Sequence, residues 1–461
     1  MDLAAASVDG DDPRPPWVRV LSADHIADAW AVPGALVQVA VALDGDRDRC
    51  ADLAARLAGS ARDGVRLGAV EVVATLVDGL RGTEGTCVDT VGRLAADPWE
   101  PVRERAVPLL AVAGEAAAPW ADVLAQRASA YTQRAVADAG ATASRTTASR
   151  ATELRATPTG LAPTGSAERG AALLGLALLR DPRVVPLLQE GRGWTALGLP
   201  YAPQGDTGWS SPGLPDLLEA LVHEADALTP LLRELLEKGG DDALGVMFAL
   251  EAWGSAAAPL ADAVAERLRC SSRPARELAV LAAVGRGAAE HAEQVRGFAG
   301  ARDDGAAALA YWRMTGDAAA ALELAEGVGP RAWVPYWTLL AELGPAARAH
   351  VDRLRTPVER AEPVAALAYW RMTGDTATVL RVLAEAEGAP LRESVGERSG
   401  REAVRVLGEM GGAAAPATPL LRELRDAPER PYREAGPGWR AVLEDRELLG
   451  LLDGAIARIG G

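Results

Sequence analysis

The chain has 461 residues, of which 49% are hydrophobic and only 4% aromatic, so alanine and leucine supply most of the material for a core. Its 48 basic and 64 acidic residues give a net charge of −16. An acidic surface repels phosphate backbones, which argues against general nucleic-acid binding. The absence of any uninterrupted apolar run of about 18 residues argues against a membrane span.

The first 32 residues are predicted to form an N-terminal segment that is partly disordered. Residues 1–12 are acidic and lack the basic and apolar regions of a signal peptide. Cys50, Cys87 and Cys270 are odd in number and widely spaced, so they are expected to be free thiols in a reducing compartment. These features together predict a cytoplasmic protein.

Residues 33–139 are predicted to form a first block of helical repeats, and residues 140–166 a flexible linker or loop. The segment 140–166 is rich in Thr, Ser and Ala, and Glu153 is its single acidic residue. Such a composition buries little apolar area. We therefore expect this segment to be mobile and dispensable for folding.

Residues 167–461 are predicted to form a second block of repeats, which an insertion at 191–215 interrupts. The insertion carries Trp194, Tyr201 and Trp209 among many Gly and Pro residues. A loop of this length inside a compact array is usually functional or disordered, and three large aromatic side chains disfavour disorder. Two interpretations stay open: the rings cap a gap in the array, or they anchor a binding partner.

Internal repetition predicts the architecture. Residues 310–317 recur letter for letter at 368–375, as Ala-Tyr-Trp-Arg-Met-Thr-Gly-Asp. Weaker relatives recur about every thirty residues, and this period is typical of stacked helical units that contact only their neighbours. Each unit has a glycine that is expected to end its first helix. These anchor glycines are Gly114, Gly254, Gly285, Gly316, Gly344, Gly374 and Gly411.

Apolar residues stand four and seven positions before each anchor glycine, on one face of the first helix, which predicts a buried stripe. The fourth position before the glycine is leucine in five repeats but Trp312 and Trp370 in the other two. Because they replace leucine, both tryptophans are expected to be buried between helices.

A second helix is predicted to begin shortly after each anchor glycine. Ser255, Asp317 and Asp375 are candidate N-caps, and Pro345 lies where proline is favoured in a first turn.

Arg313 and Arg371 follow the two tryptophans at a variable position. One interpretation is an ion pair with Asp317 and Asp375, four residues further along the chain. The other is that the two arginines are part of a partner-binding surface and provide cations for an acidic partner.

Helix, glycine turn and helix in repetition resemble the HEAT-repeat family, including its shorter variant in phycobilisome-lyase-like proteins. Residues 254–260 (Gly-Ser-Ala-Ala-Ala-Pro-Leu) and 411–416 match the turn between the helices of a repeat, and residues 97–103 (Asp-Pro-Trp-Glu-Pro-Val-Arg) match its opening. Only Lys238 among the 48 basic residues is a lysine, a coding bias typical of GC-rich actinobacteria. The resemblance implies an all-α fold, an α-α solenoid of roughly nine to eleven helix pairs curved into a superhelix.

No catalytic signature is present in the sequence: phosphate-binding loop, His-Glu-x-x-His, Cys-x-x-Cys, nucleophile elbow and dinucleotide fingerprint are all missing. The pair His223-Glu224 resembles an iron-binding pair of the HEAT-repeat enzyme deoxyhypusine hydroxylase, but that site needs several such pairs. The sequence therefore predicts no catalytic residues, no cofactor and no metal.

The predicted function is a non-catalytic scaffold or adaptor that binds a protein or peptide on its concave face. Trp194, Tyr201, Trp209, Arg313 and Arg371 are the candidate partner-binding residues. Since the array is acidic, we expect a basic partner and neither a nucleic acid nor a membrane. The alternatives are a HEAT-repeat enzyme of the phycobilisome-lyase or metal-dependent hydroxylase type and, less favoured by the charge, a HEAT-like DNA glycosylase.

Overall fold

The computed structural model describes residues 46–129, 166–190, 212–271, 274–299, 305–328, 334–386, 389–431 and 438–461. Within these ranges all regular structure is helical, apart from one isolated antiparallel bridge between Leu80 and Glu429. The N-terminal segment 1–32 and the linker 140–165 lie outside the described residues, and Ser166 is the first residue of a helix.

The described residues contain 23 α-helices, which are numbered here in chain order. They are α1 (Arg47–Ala58), α2 (Asp63–Gly79), α3 (Thr83–Ala95), α4 (Glu100–Ala111), α5 (121–129), α6 (Ser166–Leu178), α7 (Val184–Glu190), α8 (Leu214–Ala220), α9 (Ala225–Lys238), α10 (Gly240–Trp253), α11 (Ala261–Cys270), α12 (Ala275–Val284), α13 (Ala292–Arg296), α14 (Ala306–Thr315), α15 (Ala318–Glu326), α16 (Val334–Leu343), α17 (Arg355–Glu359), α18 (Pro363–Thr373), α19 (Thr376–Leu380), α20 (Pro390–Glu393), α21 (Arg398–Met410), α22 (Thr418–Asp426) and α23 (Trp439–Gly460).

These helices pack as repeated antiparallel pairs, so the protein is an all-α solenoid, as the sequence predicts. The first helices α2, α4, α6, α8, α10, α12, α14, α16, α18 and α21 form one continuous row, which α23 extends. The second helices form a looser outer row. The described part thus contains ten pairs, with α1 before them and α23 after them.

The anchor glycines have the backbone conformation that their position requires. All seven have positive φ, between +53° and +76°. Gly316 and Gly374 are left-handed, and the carboxylates of Asp317 and Asp375 then accept hydrogen bonds from backbone N–H groups at the start of the next helix. The two predicted aspartate caps are therefore confirmed.

A different turn follows Gly254, Gly285 and Gly411. There ψ lies between −126° and −137°, and the chain continues directly as a 3₁₀ helix. Ser255 consequently lies inside the 3₁₀ helix Gly254–Leu260 and makes no capping bond, so its predicted role as a cap is wrong.

The predicted apolar stripe is buried, with two corrections. The five leucines four residues before the anchors are fully buried. Trp312 and Trp370 are only half-buried, contrary to the prediction, although both pack against the core. An indole is larger than the leucine it replaces, and its N–H seeks a polar partner. Nε1 of Trp312 donates to Glu342 Oε2 at 2.9 Å, and Nε1 of Trp370 donates to Thr376 Oγ1 at 3.2 Å.

The two ends of the described array contact each other through a buried group of charges, which we call the closure cluster: Arg81, Glu84, Arg430 and Asp445. Asp445 accepts from Nη2 of Arg81 at 2.7 Å and from Nη1 of Arg430 at 2.6 Å, and Arg430 also pairs with Glu84. The side chains of Arg430 and Asp445 are 2% and 1% exposed. The array therefore closes on itself.

Backbone bonds reinforce this closure. The N–H of Arg81 donates to Pro428 O at 2.9 Å, and the N–H of Arg430 donates to Gly79 O at 3.1 Å, on either side of the Leu80–Glu429 bridge. At the start of α23, Arg440 pairs with Asp216 on α8 at 2.7 Å. Residues of α23 therefore contact Arg81 after α2, the carbonyl of Val112 after α4, and Asp216 on α8, so this row of first helices lies on the inner side of the array.

One segment, Gly240–Cys270, has the length and apolar composition of a membrane-crossing helix, and half of its apolar window is buried inside the protein. In the structure this segment is not one straight helix, because Gly254 and a 3₁₀ turn divide it into α10 and α11. Most of its apolar residues, Phe248 excepted, pack in the core of two successive repeats.

Candidate functional site

A cleft of about 790 Å³ lies where the inner row meets α23 across the molecule; we call it the end cleft. One wall comes from α6, α8 and α10, and the other from α21 and α23. Its lining residues are Leu174, Leu178, Pro215, Asp216, Glu219, Ala220, Phe248, Arg401, Trp439, Arg440, Leu443, Glu444, Arg446 and Glu447.

The apolar residues that line the end cleft include an exposed aromatic ring. Phe248 on α10 is 37% exposed, and it is one of three large hydrophobic residues with this degree of exposure in the described part of the chain. The guanidinium of Arg276 lies 3.7 Å from the centre of its ring and pairs with Glu251. An exposed ring inside a concave surface is typical of a site that buries an apolar group of a ligand.

The walls of the cleft carry four carboxylates and three guanidinium groups. Most of them are paired: Arg440 with Asp216 at 2.7 Å, and Arg401 with Glu444 at 3.2 Å and with Glu447 at 3.5 Å. Glu219 forms no ion pair within 4.0 Å of any described residue. The cleft therefore offers both a carboxylate that is not held in an ion pair with any described residue and an exposed aromatic ring.

The pKa of Glu219 is raised above its ordinary value. The main cause is the surrounding protein, which removes part of the water that would solvate the charged form, and the negative charges of Asp216 and Glu447 add to the shift. Glu219 nevertheless still reaches solvent. A positively charged ligand group placed beside it would reverse this shift, because it would favour the ionised carboxylate.

Arg313 and Arg371, predicted from the sequence, lie on α14 and α18, outside the end cleft. Their predicted ion pairs with Asp317 and Asp375 are wrong, because those carboxylates cap the following helices. Arg313 instead pairs with Glu342 of the next first helix at 2.7 Å.

Arg371 makes the same kind of contact along the row. It pairs with Glu409 and also donates to Ala341 O at 2.9 Å. Both arginines thus link successive first helices, and their role in partner binding stays a prediction.

Trp194, Tyr201 and Trp209 lie outside the described residues, so their role as partner anchors also stays a prediction. The described residues resume at Pro212, and Pro215, three residues further along, lines the end cleft.

The residues of the cleft itself were missed by sequence reasoning. Phe248, Trp439 and Glu219 are not at repeat positions that mark a site, and α23 comes after the last anchor glycine. No short-range signal indicates that α23 meets α8, more than 200 residues earlier.

The histidines do not form a convincing metal site in the described part. Asp262, Glu290 and His291 approach within 4.8 Å of one another, but both carboxylates are exposed and His291 simply hydrogen-bonds Asp262 at 3.1 Å. His350 hydrogen-bonds the Tyr336 hydroxyl at 3.0 Å, and burial lowers its pKa. The second ligand pair that an iron site at His223-Glu224 would need is not evident among these groups.

No protein-family model matches the sequence, and no curated protein matches it. A crystal structure of importin beta in an ammonium sulfate condition aligns with a TM-score of 0.45 at 12% identity, over 88% of this chain and 57% of that one. The chain therefore spans little more than half the length of the importin beta chain.

A second solved structure comes from work on a phosphorylation switch that controls the interaction between cadherin and beta-catenin. It aligns with a TM-score of 0.27 at 13% identity, over 97% of this chain and 94% of that one. Both alignments are too loose to support a functional conclusion, and the solenoid fold rests on the helix packing described above.

Proposed function

We propose that this protein is a diverged HEAT-repeat scaffold without catalytic activity, and that it binds a basic peptide segment of a partner protein in the end cleft. The observation that carries the proposal is that one cleft holds both the exposed ring of Phe248 and Glu219, a carboxylate without an ion-pair partner among the described residues. An arginine or lysine next to an apolar side chain would satisfy both groups.

The chemistry of the cleft favours binding over catalysis. Three of its four carboxylates are held in ion pairs with arginines of the cleft walls. The described residues that line it include neither histidine nor cysteine nor serine, so they lack the usual nucleophiles and the usual general base. The net negative charge of the cleft is unsuited to a nucleic-acid backbone.

A selection from a random peptide library tests this proposal. We expect the immobilised protein to enrich peptides in which Arg or Lys stands beside an aromatic or aliphatic residue. Affinity should fall at least about tenfold in Glu219→Gln and in Phe248→Ser, because each removes one of the two recognised features. Val334→Ser, at another exposed apolar residue outside the cleft, is the matched control and should bind normally.

The pH dependence gives a second readout. Since a cation lowers the raised pKa of Glu219, binding should strengthen as the pH rises through that pKa and should release protons. This dependence should disappear in Glu219→Gln. Enrichment of acidic peptides, or equal binding by the two cleft variants and the wild type, would refute the cleft as the binding site.

A further inference from the structure

Residues 1–45 precede the described part of the chain, and they contain a short segment with the chemistry that the end cleft is expected to bind. Residues 13–21, which we call the arginine–tryptophan segment, read Pro-Arg-Pro-Pro-Trp-Val-Arg-Val-Leu. Its two arginines are the only ones before Arg47, and none of its nine residues is acidic, whereas four aspartates stand among residues 1–12. The segment therefore combines positive charge with apolar side chains.

The end cleft is complementary to this segment in charge and in apolar surface. Glu219 has no ion-pair partner among the described residues, and the ring of Phe248 is exposed. Four carboxylates of the lining stand against three guanidinium groups, and one of these, Arg446, also lies 3.6 Å from Glu84 of the closure cluster. A ligand that carries positive charge next to an apolar side chain therefore fits the cleft.

The chain enters the described part close to this cleft. Helix α1 begins at Arg47, and Nη1 of Arg47 lies 3.8 Å from the position that a Cβ atom on Gly82 would occupy. Gly82 follows Arg81, whose guanidinium pairs with Asp445 on α23. Glu444, the residue before Asp445 on that helix, lines the end cleft. A short series of contacts through the closure cluster thus connects the start of α1 with the cleft.

The chain between the arginine–tryptophan segment and α1 is long enough to reach the cleft. The 24 residues 22–45 separate the segment from Asp46, which caps α1. A chain of that length spans up to about 80 Å when it is extended and about 36 Å as a continuous helix. The whole of α23, with 22 residues, is only about 33 Å long. The length of the tether therefore allows the segment to dock in the cleft of its own molecule.

We infer that the arginine–tryptophan segment binds in the end cleft of its own chain and competes there with a partner peptide. One of its arginines would pair with Glu219, and an apolar side chain such as that of Trp17 would cover the ring of Phe248. This inference rests on the proposed function of the cleft and adds its regulation, because a partner has to displace the segment. A tethered ligand has an effective concentration of about 1 mM, so an intrinsic Kd of about 0.1 mM would lower the apparent affinity for a partner about tenfold.

Photo-crosslinking of the full-length protein tests this contact without any partner. Benzoylphenylalanine in place of Trp17 should cross-link, on irradiation, to peptides of α8, α10 or α23 that carry residues of the cleft. The matched control has the same group in place of Trp30, which has no arginine within ten residues, and it should not cross-link to the cleft. Absence of the cross-link from position 17, its formation only between two molecules, or an equal cross-link from position 30 would overturn the inference.

Competition gives a second readout, with a synthetic peptide of residues 13–21 as the probe. The peptide should bind a triple variant, Arg14→Gln with Trp17→Ser and Arg19→Gln, at least about tenfold more tightly than it binds the wild type, because the segment of the variant no longer occupies the cleft. Addition of Glu219→Gln to the triple variant should weaken this binding at least about tenfold. Trp30→Ser should bind the peptide as the wild type does. Equal affinities of the wild type and the triple variant would overturn the inference.

The outcomes also separate this inference from the proposed function. If peptides selected from the library bind the wild type and the triple variant equally, the cleft is a peptide site that the chain's own segment does not occupy, and the inference is wrong. If the segment cross-links to the cleft but selection on the triple variant yields no peptide, the inference stands and the proposed binding of a partner fails.

Discussion

Arg81 and Asp445, 364 residues apart in the sequence, form an ion pair of 2.7 Å that joins the two ends of the described array. The pair is enclosed, since the two side chains are 10% and 1% exposed. Asp445 is also the acceptor for Arg430, so one carboxylate serves two buried guanidinium groups. Its loss would leave both cations without their shared partner.

Asp445→Asn is therefore expected to destabilise the protein by about 3–5 kcal/mol, as is typical when one partner of a buried ion pair is removed. Chemical denaturation measures the loss, and solution scattering should show a larger radius of gyration as the array opens. Asp453→Asn, at an exposed carboxylate on the same helix, should change neither quantity. A scattering profile of Asp445→Asn that matched the wild type would contradict the closing role of the cluster.

The closure could not have been predicted from the sequence. Repeat periodicity predicts only how neighbouring units pack against each other. For this reason the glycine pattern predicted the row of first helices but not a contact between its ends. Arg81, Glu84, Arg430 and Asp445 occupy no repeat position, and their pairing depends on the accumulated curvature of ten repeats. A small rotation at each repeat, which no local pattern specifies, decides whether α23 reaches α2.

The two kinds of glycine turn should respond differently to asparagine. Gly316 has φ +76° and ψ 8°, a left-handed conformation that asparagine tolerates, whereas Gly254 has φ +58° and ψ −126°, which side chains rarely adopt. At both glycines the position that a Cβ atom would occupy is at least 3.6 Å from its nearest neighbour, so space does not distinguish them. We expect Gly254→Asn to cost about 1–3 kcal/mol more than Gly316→Asn in urea unfolding. Equal losses of stability in the two variants would show that the difference in backbone conformation between the two glycines does not affect how well asparagine is tolerated.

The indole N–H groups of two buried tryptophans should contribute differently to the free energy of unfolding. Nε1 of Trp253 donates to Leu218 O at 2.8 Å, whereas the enclosed Nε1 of Trp337 has no partner among the residues that the structure describes. Replacement by phenylalanine removes the same atoms at both sites. Trp253→Phe should therefore cost about 1–2 kcal/mol more than Trp337→Phe, because it leaves the carbonyl of Leu218 unsatisfied. Denaturant titration of both variants measures the difference, and a larger loss in Trp337→Phe would contradict the assignment.

The three cysteines are free, as predicted, but they should differ in reactivity. Burial raises the pKa of Cys87 to about 11 and raises that of Cys50 as well, so both thiols stay protonated at neutral pH. Cys270 is exposed. A colorimetric thiol reagent should label one cysteine quickly in the native protein and three in denaturant. Cys270→Ser should remove the fast phase, and a second fast thiol in the native protein would show that Cys50 or Cys87 is accessible.

Trp312 and Trp370, which belong to the exact repeat, show what an alignment of repeats within one sequence can and cannot predict. Their position was inferred correctly from the leucines of other repeats, and both contact the core. Their degree of burial was not inferred correctly, because a packing site that encloses a leucine side chain leaves part of the larger indole ring exposed to solvent. The alignment also could not find Glu342, which accepts from Trp312 and Arg313 together, since that contact is made between repeats.

The closed array changes how the protein is expected to unfold. An open stack of repeats frays from its terminal units, and its stability is close to a sum over neighbours. Here α2, the second helix of the described array, and α23, its last helix, are neighbours, so neither can detach without breaking the closure cluster. Unfolding should therefore be a concerted event of the whole array. Folding must close a loop of more than 300 residues, and this high contact order makes it slow.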